Sequence, residues 1–178
     1  MKPLPILTVL EHSSILRKPS MEIESFTPEI AELVEHMAET MFMANGVGLA
    51  APQIGRNLNI FVMRTEDGIA RDTREYRSVI NPYITLQQGQ KVLGTEGCLS
   101  IPGVRGRVLR FPTISSVHWD ATGTRQEMTL TDLQARIFQH EADHLLGILF
   151  TDRARELFPF PASTNSDSTS IPIFSTVK

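Results

Sequence analysis

Between residues 27 and about 44, apolar side chains recur at helical spacing, with Ile30, Leu33, Val34, Met37 and Met41 falling on one face. Thr27, Pro28 and Glu29 supply an N-cap, a proline at the first helical position and an early acid, and Asn45-Gly46 closes the segment. The methionines Met37, Met41 and Met43 read as packing rather than as a substrate surface, because methionine commonly fills irregular core gaps. The middle of the chain then turns β-rich. Residues 59–63, 78–80, 91–93, 105–110, 113–119 and 125–130 read as strands, with Gly, Pro, Asp or Asn between them. A second helix opens at Thr131-Asp132-Leu133-Gln134, which has the spacing of a T-x-x-Q capping box. It runs to about Leu146, and Gly147 suits the position just past its end. No internal repeat is present.

From Phe158 onward the pattern dissolves. Pro159, Pro161 and the Ser/Thr/Asn/Asp run at 163–170 cannot bury enough apolar surface to offset ordering. We therefore expect a single domain over residues 1–157 and a flexible tail over 158–178, within which Ile171-Pro172-Ile173-Phe174 is apolar enough to dock on this molecule or another. The length of 178 residues and 41% hydrophobic content suit one soluble domain with a sizeable core. A net charge of -3 and a pI near 5.9 give no basic face for DNA, so any ribosome contact would be local. The single cysteine excludes an internal disulfide, and as a thiolate ligand it would need a reducing compartment. No run approaches the roughly 18 apolar residues of a membrane span. The start, Met1-Lys2-Pro3-Leu4-Pro5-Ile6-Leu7, lacks both a signal-peptide core and the arginine-rich look of a transit sequence. A cytoplasmic, bacterial protein is expected.

The chemistry concentrates at His140-Glu141-Ala142-Asp143-His144. Residues four apart share a helix face, so His140 and His144 can offer two imidazoles to one metal ion, with Glu141 close enough to handle a water proton. This is H-E-x-x-H, half of a hydrolytic metal site. A surface helix with two solvated histidines is the bland alternative. The third ligand decides between them. Phe150 stands where an extended H-E-x-x-H-x-x-G-x-x-H motif needs histidine, and Asp152 and Glu156 remain open without a recognisable spacing. Upstream lies Cys98, which is either a small buried hydrophobe or a thiolate completing a Cys-His-His set with one position left for water.

Three segments, in order, resemble the signature motifs of the peptide deformylase family: Gly46-Val47-Gly48-Leu49-Ala50-Ala51-Pro52-Gln53, Glu96-Gly97-Cys98-Leu99-Ser100 and Gln139-His140-Glu141-Ala142-Asp143-His144. The resemblance runs from about Ile6 to about Arg153. It implies an α+β fold, with mixed or antiparallel sheets packed around the central H-E-x-x-H helix and an N-terminal helix beside them. It implies hydrolysis of the formyl group of an N-formylmethionyl nascent chain, with release of formate. Cys98, His140 and His144 would be the metal ligands and Glu141 the general base. The Gln53 amide and the Leu99 backbone N–H would serve the oxyanion. The substrate would add as a strand along Gly46, Val47, Gly48 and Gly97, its methionine held by Val47, Leu133 and Ile137, with Arg105 beside the peptide path. Glu96 and Asp143 would support the ligands.

Ligand chemistry alone points to zinc, whereas the resemblance points to Fe(2+), with Zn(2+), Ni(2+) or Co(2+) able to replace it. A monomer is expected, with the ribosome exit region as a further partner. One departure is Asp132, where many family members carry glycine.

Overall fold

The computed structural model describes residues 2–160. In chain order these form α1 (Val9–Leu16), α2 (Pro28–Met43), β1 (Gly48–Ala50), a 3-10 turn (Ala51–Ile54), β2 (Ile60–Arg64), α3 (Glu66–Ala70), β3 (Tyr76–Gln88), β4 (Val92–Cys98), β5 (Ile101–Arg110), β6 (Thr113–Trp119), β7 (Arg125–Thr131), α4 (Asp132–Leu145), α5 (Phe150–Arg153) and β8 (Ala154–Pro159). Five strands make one sheet in the order β1-β2-β3-β6-β7, and three make a second, β4-β5-β8. Every ladder is antiparallel. The class is α+β, as expected, with α4 lodged between the sheets.

Apolar periodicity sets the layers. On one side of the larger sheet, Val34, Met37 and Met41 of α2 pack with Ile60, Val62 and Ile80. On the other, Ala135, Ile137, Phe138 and Leu145 of α4 pack with Phe61, Met63, Val79, Ile114 and Leu130. Met37 and Met41 are fully buried, as their spacing predicts, but Met43 in the last turn of α2 is exposed and takes no part in the core.

Several elements exceed their sequence signals for identifiable reasons. Asn81-Pro82 reads as a strand terminator, yet β3 runs through it. Asn81 takes φ 48° and its side chain accepts from the Ile23 N–H at 2.9 Å and donates to the Ile23 carbonyl at 2.8 Å, so the ladder shifts register rather than ending. Pro102-Gly103 reads as a turn, but β5 already begins at Ile101, with Gly103 at φ 76°. β8, with the weakly patterned sequence ARELFP, pairs with β5 through Pro159 opposite Val104, and α1 carries a kink at His12. The composition change at Phe158 thus falls inside a strand, and residues 161–178 of the expected tail lie outside the described residues.

The start of α4 also departs from expectation. Thr131 makes no side-chain cap bond, and Gln134 instead donates to the Arg64 carbonyl at 3.2 Å. Asp132 sits at φ 48°, its N–H on the Pro112 carbonyl at 2.7 Å. That left-handed conformation costs a residue with a Cβ and costs glycine nothing, which explains why glycine suits this position.

Candidate metal centre

Helix α4 places His140 and His144 one turn apart, with ring centroids 5.0 Å from each other. Cys98 ends β4 and pairs with Ile101 across the tight Leu99-Ser100 turn. This hairpin brings its sulfur to 3.3 Å from His144 Nε2. The donor atoms of Cys98, His140 and His144 all lie within 4.8 Å of one another, and all three residues are buried. Among the described residues, this is the group that unites three such donors. Asp152, left open by the sequence, accepts instead from Arg17 and from the Leu149 N–H, and Glu156 lies on β8 opposite Arg107.

Two further contacts fix the sulfur. Ser100 N–H and Gln53 Nε2 each approach Cys98 Sγ at 3.4 Å. Gln53 sits in the 3-10 turn after β1, where its Oε1 accepts from Ala50 N–H at 2.8 Å and its Nε2 also donates to Ser100 Oγ at 3.2 Å. The N-terminal segment fastens both loops, with Leu7 N–H on the Gln53 carbonyl at 2.7 Å and Val9 N–H on that of Ser100 at 2.9 Å.

Glu96 is wholly buried and fully engaged. Its Oε2 meets His140 Nδ1 at 2.9 Å and accepts from Arg110 at 3.0 Å, while its Oε1 accepts from Arg110 and from Arg136, both at 2.9 Å. Fixing the Nδ1 side of His140 turns Nε2 toward the candidate metal position. Asp143 is held by arginines. It accepts from Arg110 at 2.5 Å and from Arg153 at 2.6 and 2.7 Å, and so ties α4 to both. Sequence reading missed Arg136 and Arg153. An arginine one turn before His140, on the same helix face, was the available signal for the first.

Electrostatics follow from this enclosure. Burial pushes Glu141 up to about 7, with His140 pulling the other way. Burial opposes charge on His140, yet its bonds to Cys98 and Glu96 raise it to about 10. Burial, reinforced by His140 and Arg110, holds His144 well below its ordinary value. Glu96 is driven far below the carboxylate range despite burial, because His140 and Arg110 bind its anion. Glu141 Oε2 and His144 Nδ1 are buried without a protein partner. A soft sulfur and two imidazoles, beside an unsatisfied carboxylate, fit a divalent ion that takes N and S donors. Binding it would require a deprotonated thiol and neutral imidazoles, so affinity is linked to pH.

The other expected residues surround this centre. Gly46 follows α2, its N–H on the Met41 carbonyl at 2.8 Å. Gly48 lies in β1 directly against Glu141, where a Cβ would overlap the carboxylate, so glycine here makes room for that side chain. Val47 and Ile137 are buried in one cluster with Leu133 at its edge, and Leu99 packs against the α2 cluster. Gly97 pairs with Arg105, whose guanidinium lies 3.7 Å from the Phe160 ring centre.

The family model of polypeptide deformylase matches residues 3–158. The chain belongs to the polypeptide deformylase family. Its reaction is hydrolytic removal of the N-formyl group from newly made polypeptides. The peptide deformylase of Symbiobacterium thermophilum is 42% identical over 151 residues, spanning 85% of this chain and 67% of its own. That of Desulfitobacterium hafniense is 39% identical over 144 residues, spanning 81% and 91%. Among solved structures, the deformylase of Thermotoga maritima superposes with TM-score 0.80 at 33% identity, covering 88% of this chain and all (100%) of that one. A deformylase from Synechococcus elongatus, solved with actinonin, gives 0.79 at 35%, covering 88% and 81%. The deformylase family is metal-dependent, and Cys98, His140 and His144 are this chain's candidate site.

Proposed function

We propose that Cys98, His140 and His144 hold one divalent ion and that Glu141 moves the protons as formyl is cleaved from an N-formylmethionyl nascent chain. The observation that carries this reading is the convergence of three buried donors within 4.8 Å, with an unpartnered carboxylate oxygen in the same enclosure. When bound, the ion supplies Lewis acidity, lowering the pKa of water from 15.7 toward about 7. Glu141, held as a base near neutrality by burial, accepts the proton of the attacking water. Water oxygen bonds to the formyl carbon, the C–N bond breaks, and Glu141 returns the proton to the departing nitrogen. Formate and a free α-amine result.

Gln53 presents its amide nitrogen on the sulfur side of the site, oriented by Ala50 N–H, and with the Leu99 N–H it receives the developing oxyanion. The backbone at Gly46, Val47, Gly48 and Gly97 takes the peptide as an added strand. Val47, Leu133 and Ile137 hold the methionine side chain, and Arg105 flanks the path. Fe(2+) is the physiological ion in this reading, with Zn(2+), Ni(2+) or Co(2+) as substitutes. The protein works as a monomer in the bacterial cytoplasm, meeting nascent chains near the ribosome exit.

The test is formate release from a formyl-Met peptide by anaerobically purified protein, wild type against Glu141→Gln. Turnover by the wild type, lost in the variant while one equivalent of metal remains, is expected. Equal rates would remove Glu141 from its role. No turnover with any of the four ions would remove the site assignment.

A further inference from the structure

Behind the ligand helix, five side chains form an unbroken line of charge-assisted hydrogen bonds from the metal-site histidine to the protein surface. His140 Nδ1 lies 2.9 Å from Glu96 Oε2. Glu96 accepts from both Nε and NH2 of Arg110, at 2.9 and 3.0 Å. The remaining nitrogen of that guanidinium, NH1, reaches Asp143 at 2.5 Å. Asp143 receives a two-pronged contact from Arg153, at 2.6 and 2.7 Å. The inner members are nearly sealed from water, with Glu96, Arg110 and Asp143 side chains 0%, 5% and 8% exposed, whereas the Arg153 side chain is 43% exposed. Arg153 and Asp143 also line a cavity of about 350 Å³ together with Lys91, Phe111 and Leu146, so solvent ions reach this end.

We propose that Arg153 is a remote positioning residue for the metal site, setting how firmly Glu96 holds His140 and thereby how fast the ion is lost. The proposal rests on the Cys98, His140, His144 assignment. Arg110 divides one guanidinium between two carboxylates. With Arg153 neutralising Asp143, the Arg110 fork stays committed to Glu96. Without Arg153, Asp143 competes for Arg110, Glu96 loses part of its restraint, and the His140 ring is less firmly aimed. Arg136 still grips Glu96 Oε1, which keeps the effect partial. The inner links lie where dielectric screening is weak, and Arg153 lies where salt screens. Metal retention therefore responds to ionic strength through this one residue.

The experiment compares zinc-loaded wild type with Arg153→Ala, Arg153→Lys and Arg17→Ala, following zinc transfer to a chelating dye, and takes the visible spectrum of each cobalt-loaded form. Arg17 pairs with Asp152 on the same short helix as Arg153, and Asp152 feels the Arg153 charge only at long range, so this variant reports chiefly how the helix is anchored. Replacing a direct partner of a ligand typically costs 10–100-fold in metal affinity, so Arg153→Ala, with three groups between it and His140, should speed zinc loss roughly three- to tenfold. It should also shift the cobalt bands and lose the salt response expected of wild type between about 0.05 and 0.5 M. Arg153→Lys should recover the salt response, and Arg17→Ala should match wild type. The proposal is overturned if Arg153→Ala equals wild type in zinc loss and spectrum, or if Arg17→Ala reproduces its effects. A wild type that binds no zinc, or a Cys98→Ala form that binds it equally well, would instead sink the site assignment beneath it.

Discussion

Helix α4 meets the two sheets by different means. Toward the five-stranded sheet it presents Ile137, Phe138 and Leu145, packed on Phe61, Met63, Val79 and Ile114, with the Phe61 and Phe138 rings edge-on at 5.1 Å. Toward the three-stranded sheet it presents Arg136, His140 and Asp143, bound to Glu96 and Arg110. Apolar packing is non-directional and scales with area removed from water, so the first face supplies stability and tolerates adjustment. Charge-assisted hydrogen bonds are directional, and a buried ion network adds little net stability because desolvation offsets its attraction. The second face therefore serves geometry. It holds His140 on the helix in register with Cys98 at the end of β4, two members of the candidate metal site.

Variants that load one face and not the other break or sharpen this contrast. The largest effect belongs to Cys98→Ala. Removing the sulfur should abolish stoichiometric metal and cut formate release by about 1,000-fold or more, given the several kcal/mol of electrostatic stabilisation an ion provides, while thermal unfolding moves little. Phe138→Ala should do the reverse. Denaturant titration should show a loss of about 3–5 kcal/mol, with metal per folded chain unchanged, and a fall in stoichiometry would blur the division of labour. Glu96→Gln tests the hinge between the faces, since it strips the charge from the centre of the network. It should weaken zinc binding about 10–100-fold in a competition assay and also destabilise, because Arg136 would lose its paired carboxylate while Arg110 kept Asp143 alone. Gln53→Ala sits outside both faces and should lower kcat by about 100–1,000-fold with KM little changed. The smallest effect is Asp132→Gly at the helix start, which should raise stability by about 1 kcal/mol through relief of the left-handed backbone and leave kcat alone.

The same contrast explains what was legible in the sequence. Long periodic stretches such as Ile30 to Met41 announced α2, and the spacing of His140 and His144 announced a shared face, because helical period is a local property. The three-stranded sheet was harder to read. β5 runs through Pro102-Gly103 and β8 carries little apolar alternation, so the pairing of β5 with β8 is specified by partners distant in sequence rather than by their own pattern. Arg136 and Arg153 escaped for a similar reason. Arginines on a helix and just beyond it look solvated until the carboxylates of β4 and α4 are folded against them. The role of Gly48 shifted too. Sequence offers glycine as room for a substrate strand, and the fold adds that its missing side chain is the space Glu141 occupies. Asp132 was visible only as a departure from the glycine that many family members carry, and its φ of 48° supplies the physical reason glycine suits the position.

The most direct measurement is X-ray absorption at the zinc edge of stoichiometrically loaded protein, because it reads the ligand atoms themselves. One sulfur at about 2.3 Å and two nitrogens at about 2.0–2.1 Å are predicted, with the sulfur shell lost in Cys98→Ala. A first shell of nitrogen and oxygen alone in the wild type would contradict the account, placing the ion away from Cys98 and leaving the charged face of α4 without the geometry it is held to serve.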